Sequence, residues 1–241
     1  MGMANASTCL SDIWASHNNV AGLAEIKAPA TAFALHTTPS LEFLNRMAMT
    51  LAVPFSHATA ALGIFRFGDD LYNEHMITIG VANRFGLASL GVRANYIQYH
   101  ADGAGTRVAF SAGFGGIASL TPNLRVGAHI LHVNQPIVNT DTGERLPTRM
   151  ATGVAYVAPD KLHIAVEAEK ETGYPTTIKA GMEYRFVPRL AFRTGFHLNP
   201  DTGFFGLGFT TSRFRIDYAV QLNTPLGIGH QASVVYEFKR K

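Results

Sequence analysis

The chain has 241 residues, which suits one large domain or two small ones. Hydrophobic residues make up 47% and charged residues 15%, well below the roughly 25% charged that is usual in soluble proteins. The 20 Lys+Arg are scattered against 17 Asp+Glu, a balance too mild to imply a nucleic-acid surface, and a single cysteine, Cys9, excludes an intrachain disulfide or thiolate metal cluster.

The opening MGMANASTC has no charged region followed by an apolar one, and Ala6 stands where myristoylation needs Ser or Thr. An exported chain would therefore be numbered here from after a removed signal. Residues 11–25, SDIWASHNNVAGLAE, carry no strand pattern. Residues 1–28 are accordingly expected to form an N-terminal segment distinct from a β domain over 29–241.

From about residue 30 one pattern repeats: apolar and polar residues alternate over eight to eleven positions, then a turn follows. Met47, Met49, Leu51 and Val53 alternate with Arg46, Ala48, Thr50 and Ala52. Ile178, Ala180, Met182, Tyr184 and Phe186 alternate with Thr177, Lys179, Gly181, Glu183 and Arg185. Successive strand residues point to opposite sides, so each such segment turns one face to something apolar. No helical period is sustained after position 30, and apolar runs fall short of the ~20 residues of a membrane helix. The pattern predicts fourteen strands near 30–38, 46–55, 58–67, 75–85, 87–100, 106–119, 123–134, 148–158, 161–171, 175–186, 189–198, 203–211, 213–222 and 228–238. Tight-turn connections such as Phe85-Gly86 and Val187-Pro188 alternate with longer polar ones such as 135–147.

The apolar face carries almost no charge along the whole chain, whereas the opposite face carries Arg, Lys, Glu, Asp, His, Gly and Ala. A soluble sandwich would show an exposed face rich in Lys, Glu and Thr and would need fewer strands. An all-β, antiparallel transmembrane barrel with lipid outside and polar residues inside fits, and an even strand number puts both termini in the periplasm. Its location is the bacterial outer membrane. Neighbouring strands lie about 4.8 Å apart, so Glu167, Glu169, Lys179, Glu183, Arg185, Arg193, Arg215 and Asp217 can pair across strands inside the lumen. Such a network is expected to close the pore. Inward glycines, among them Gly80, Gly91, Gly181, Gly195 and Gly206, leave room for a plug.

The final strand, HQASVVYEFKRK, places Val234, Tyr236 and Phe238 on the apolar face. Tyr236 and Phe238 fit the aromatic girdle, and Lys239, Arg240 and Lys241 would reach into the periplasm. The ending resembles the sorting signal read by the barrel-assembly machinery, here a partner in biogenesis.

Nucleophile-elbow, Walker and HExxH motifs are missing from the sequence. Gly113-Phe114-Gly115-Gly116 lies within a strand pattern and opens no helix, so it reads as packing. His129 and His132 fall on opposite faces of one strand, which argues against a shared metal. Asn139, Asp141, Gly143 and Glu144 have some of the spacing of a calcium loop but read as a polar turn. Asp69, Asp70, Glu74 and His75 could supply an acid and base but have no nucleophile. The expectation is a non-enzymatic protein without a cofactor.

Asp12, Asn19, Ala21, Gly22 and Leu23 resemble the hatch motif of the long-chain fatty acid transporter (FadL) superfamily, with Val20 in place of its proline. In that superfamily the motif belongs to a hatch near the periplasmic mouth of a fourteen-stranded barrel. Phrases such as FRFGDDLYNEH (65–75), GERLPT (143–148), KAGMEYRF (179–186) and FRTGFHLNP (192–200) resemble the Bacteroidota branch containing PorV and PorQ of type IX secretion. Two roles follow from these likenesses. One is an accessory or scaffold subunit of a larger outer-membrane complex, associated with other outer-membrane proteins or lipoproteins. The other is a passive conduit for hydrophobic small molecules. Short polar loops favour the first, and lipid or lipopolysaccharide is the expected surrounding in both.

Overall fold

The computed structural model describes residues 1–39, 41–139, 142–158, 161–223 and 226–238. The strands are β1 (Ala30–Thr37), β2 (Arg46–Pro54), β3 (Thr59–Gly68), β4 (Tyr72–Phe85), β5 (Ala88–Ala101), β6 (Gly105–Ser119), β7 (Leu124–Leu131), β8 (Ile137–Asn139) and β9 (Glu144–Arg145). They continue as β10 (Arg149–Ala158), β11 (Leu162–Glu171), β12 (Thr177–Val187), β13 (Leu190–Leu198), β14 (Thr202–Thr210), β15 (Phe214–Asn223) and β16 (Gly227–Glu237). All but β8 and β9 close into one antiparallel barrel of fourteen strands, sealed where β16 meets β1 from Ala30↔Glu237 to Thr37↔His230. Closure removes the sheet edges, so wall backbone groups find partners within the protein, as hydrocarbon demands.

The period of two sorts the side chains. Ile79 is 59% exposed and Leu207 63%, and Phe33, Met49, Ile64, Val92, Val166 and Ile216 share their outward face. A soluble domain of this size would bury such residues. A continuous apolar exterior means lipid contact, and with the closed antiparallel barrel it makes this an outer-membrane protein. Among outward strand positions of the described residues the only Asp, Glu, Lys or Arg are Arg66 and Lys170, both near the rim that bears the longer connections. Tyr236 packs edge-on to Phe238 and beside Phe214, each pair with ring centroids 4.8 Å apart, on the opposite rim. The turns at that rim are short, for example 86–87 and 188–189; the other rim carries 38–45 and 132–148.

Three details differ from the sequence reading. The connection 135–147, read as loop, contains the β8–β9 hairpin, whose strands are too short to show alternation. The strand expected to reach 134 stops at Leu131, because His132 and Gln135 take positive φ of 56° and 42°. That turn brings His132 inward, with Nδ1 2.9 Å from Ser111 Oγ, so His132 and His129 do not face opposite sides. Asp141 of the calcium-like spacing, and the basic ending Lys239, Arg240 and Lys241, lie outside the described residues.

Candidate functional site

Residues 1–28 run inside the barrel, and the wall is shaped to receive them. Met3 lies on Gly181, Ala4 on Gly195, Thr8 on Gly127, Val20 on Gly80 and Gly91, and Asn19 on Gly115. A Cβ on Gly127 would stand 2.7 Å from Thr8 O, and one on Gly91 2.9 Å from Ala21 N. On Gly181 and Gly115 it would collide with Met3 O and Asn19 Oδ1. Gly91, Gly127, Gly181 and Gly195 are thus sites of backbone-on-backbone approach, and Gly80 and Gly115 make room for the Val20 and Asn19 side chains, which only a missing side chain permits. We expect Gly181→Val to unseat residues 1–6 without disturbing the outer face, seen as faster modification of Cys9 by an impermeant thiol reagent.

Two short 3-10 turns shape the segment: Ile13–Ser16, capped by Asp12 Oδ1 on Trp14 N–H (2.9 Å), and Val20–Glu25, capped by Asn19 Oδ1 on Ala21 N–H (3.2 Å). Val20 opens the second turn, and the Asn19 cap fixes where it starts. Asn19 Nδ2 donates to Thr8 O at 2.7 Å and to wall carbonyls Gly116 O at 3.1 Å and Ala128 O at 3.4 Å. Ala21, Gly22 and Leu23 are buried, and Gly22 is pressed against Leu10 O.

The charged lumen residues form two clusters rather than one network. In the first, Lys179 on β12 bridges Glu167 (3.0 Å) and Glu169 (2.9 Å) on β11, and Glu167 faces Lys179 directly in the register. Glu167 Oε2 also accepts the N–H groups of Ser7 and Thr8, both at 2.8 Å. In the second, Arg193 on β13 reaches Glu183 and Asp217, each at 2.6 Å. It reaches Asp217 across β14 because Gly206 and Gly208 lie there and no side chain intervenes. Arg185 completes Glu183 at 3.1 Å, Arg215 stands 3.2 Å from Asp217, and Arg215 also reaches Asp12 of the segment at 3.6 Å. Arg193→Ala leaves both carboxylates a second arginine, so its expected cost is only about 1–3 kcal/mol, measured by urea unfolding.

Several anchors were not singled out from the sequence. Arg93, 5% exposed, donates from Nη1 to Ser16 O (3.1 Å) and Asn18 O (3.3 Å). Its place between Gly91 and Asn95 on the inward face was the available signal. Arg125 pairs with Glu25 at 3.1 Å, and Ser16 Oγ meets Thr50 Oγ1 at 2.9 Å. His197 Nε2 also meets Ala4 O. Cys9 donates its thiol to Gly153 O at 3.2 Å; burial first, then Glu167, pushes that thiol up to about 12, against the pull of Arg125. Burial, which leaves Cys9 4% exposed and disfavours its thiolate, shields the seated thiol from reagents.

Beside the segment lies a cavity of about 450 Å³. Leu10, Trp14, Ala34, Ala48 and Phe65 give it an apolar side, and the second charge cluster gives it a polar one. Among the described residues no group of three or more His, Cys, Asp or Glu is placed to hold a metal. The architecture leaves a cavity of mixed polarity between the seated segment and the wall.

No protein-family model matches the sequence, and neither does any curated protein. Solved structures do match. The Ralstonia pickettii toluene transporter TbuX superposes with a TM-score of 0.79 at 11% identity, over 99% of this chain and 97% of that one. The monoaromatic hydrocarbon channel CymD gives 0.75 at 13%, over 99% and 96%. A FadL homologue of Pseudomonas aeruginosa gives 0.69 at 13%, over 98% and 96%. At such identities the likeness is one of fold: the chain is a closed fourteen-strand barrel built like those of FadL-type outer-membrane proteins.

Proposed function

We propose that the protein is a passive conduit that admits small hydrophobic molecules through the outer membrane, with residues 1–28 as its hatch. The observation that carries this reading is the seating of residues 1–28 on a glycine wall, beside a cavity with one apolar side. Fold relatives described as a toluene transporter and a monoaromatic hydrocarbon channel support it. The alternative, an accessory subunit associated with type IX secretion, rests on the PorV- and PorQ-like phrases and on short polar loops, and gains no support from these neighbours. The terminal row Val234, Tyr236 and Phe238 is proposed to guide barrel assembly.

The test is uptake of labelled toluene by cells lacking their own hydrocarbon channels. Expression should accelerate uptake, and Trp14→Arg, which puts a charge on the apolar side of the cavity, should reduce it while leaving the barrel folded by heat-modifiable gel mobility. Unchanged uptake, together with recovery from native membranes in a fixed ratio with another protein, would overturn the conduit in favour of the subunit.

A further inference from the structure

On the outward face of β3–β6 the apolar band ends abruptly. Register places Met49, Ile64, Ile77, Tyr96 and Phe110 in one cross-strand row, with Tyr96 and Phe110 in edge contact at 5.5 Å. The next row toward the long-loop rim is Met47, Arg66, His75, Gln98 and Val108. Beyond it come Asn73, His100 and Thr106. No Asp or Glu occupies an outward position on these four strands. Arg66 Nε is covered by the protein and finds no acceptor among the described residues, which leaves the outer guanidinium nitrogens to face outward. An outward arginine at the edge of hydrocarbon, with no ion-pair partner on its own face of β3–β6, is placed to take an anion from outside the protein.

We propose that this step on β3–β6 is a docking site for the phosphate groups of lipopolysaccharide in the outer leaflet. The chemistry is specific to that position. The long-loop rim is the extracellular one in barrels of this kind, so the lipid meeting it is that of the outer leaflet. Its acyl chains would lie on the row from Met49 to Phe110 and its phosphate at the row above. Arg66 presents a planar fork suited to phosphate oxygens. His75, one strand or about 4.8 Å away, offers a ring N–H in either protonation state. Gln98 is oriented by the Tyr96 hydroxyl, 3.4 Å from its Oε1, which leaves its amide N–H groups for the lipid. Lys170, the other outward cation, lies across the barrel on β11 and is held by Tyr174 O, so it makes no comparable cluster.

The test uses the intact folded protein in detergent and bisphosphorylated lipid A as the probe, with bound lipid counted by native mass spectrometry. Wild type and Lys170→Gln should retain lipid A. The double variant Arg66→Gln/His75→Gln should lose at least tenfold in affinity while keeping folded gel mobility, and Arg66→Lys should fall between. Dephosphorylated lipid A should not bind at this site in any variant. The proposal is overturned if the double variant binds as wild type does, or if dephosphorylated lipid A binds equally. Equal binding of phosphatidylglycerol, or equally effective competition by inorganic phosphate, would also overturn it, because either shows that the lipid's own architecture is not read.

Discussion

Deleting residues 1–25 is expected to turn an electrically silent barrel into a conducting one. A fourteen-strand barrel encloses more space than its inward side chains fill, since interior width grows with strand number and about eight strands already suffice to pack solid. Here many of the inward residues that could narrow the lumen are glycine and alanine: Gly80, Gly91, Gly115, Gly127, Gly181 and Gly195 all lie under the N-terminal segment. Removing that segment removes what those positions were shaped around. It also strips Glu167 of two N–H donors and Arg93 of two carbonyls, leaving charged groups that hold water in the opened path. Wall pairing from β1 to β16 involves none of the deleted residues, so the barrel should still fold. In planar bilayers, wild type should show no steady conductance and the deletion a large one. Steady conductance from the wild type would mean that the segment does not seal the lumen, and a silent deletion would mean that the wall residues close it unaided.

Barrel, strand number and inward–outward sorting were legible because lipid imposes one rule on every strand. Leu190, Phe192, Phe196 and Leu198 fall outward as their alternation with Arg193 and His197 requires. The inward glycines were legible as vacancies, but what filled them was not. Backbone-to-wall contacts such as Thr8 O on Gly127 involve no particular side chain and so leave no pattern in the segment's own sequence. The charge clusters were half legible. Residues directly opposed in register, Glu167 with Lys179 and Glu183 with Arg193, can be paired from strand spacing. Reach across a third strand, as from Arg193 to Asp217, depends on Gly206 and Gly208 standing between, and grouping all eight residues together concealed the division into two sets. His132 escaped because a positive φ reverses the side on which a residue falls.

Glu167→Ala should be the most damaging single substitution in the lumen, and its effect should separate from that of its ion-pair partner. Glu167 is 2% exposed and makes three bonds at once: two backbone N–H groups of the segment and the Lys179 ammonium. Removing it leaves the Ser7 and Thr8 N–H groups without an acceptor in a buried place, at about 1–3 kcal/mol each. Lys179 loses one of two carboxylates and keeps Glu169, so the full penalty of about 3–5 kcal/mol for breaking a buried pair is not added on top. A total of about 2–6 kcal/mol is expected, read as a lower urea midpoint for loss of the folded gel form. Lys179→Met provides the contrast: Glu167 would keep both N–H donors, and the segment should stay seated. Cys9 follows Thr8 directly, and its thiol is pushed up partly by Glu167 itself. Glu167→Ala should therefore both loosen residues 7–9 and ease ionisation of the thiol, so Cys9 should label at least tenfold faster at pH 8, whereas in Lys179→Met it should stay protected. A Glu167→Ala protein with a wild-type urea midpoint and an unreactive Cys9 would mean that the two N–H bonds at Glu167 do not hold the segment in place.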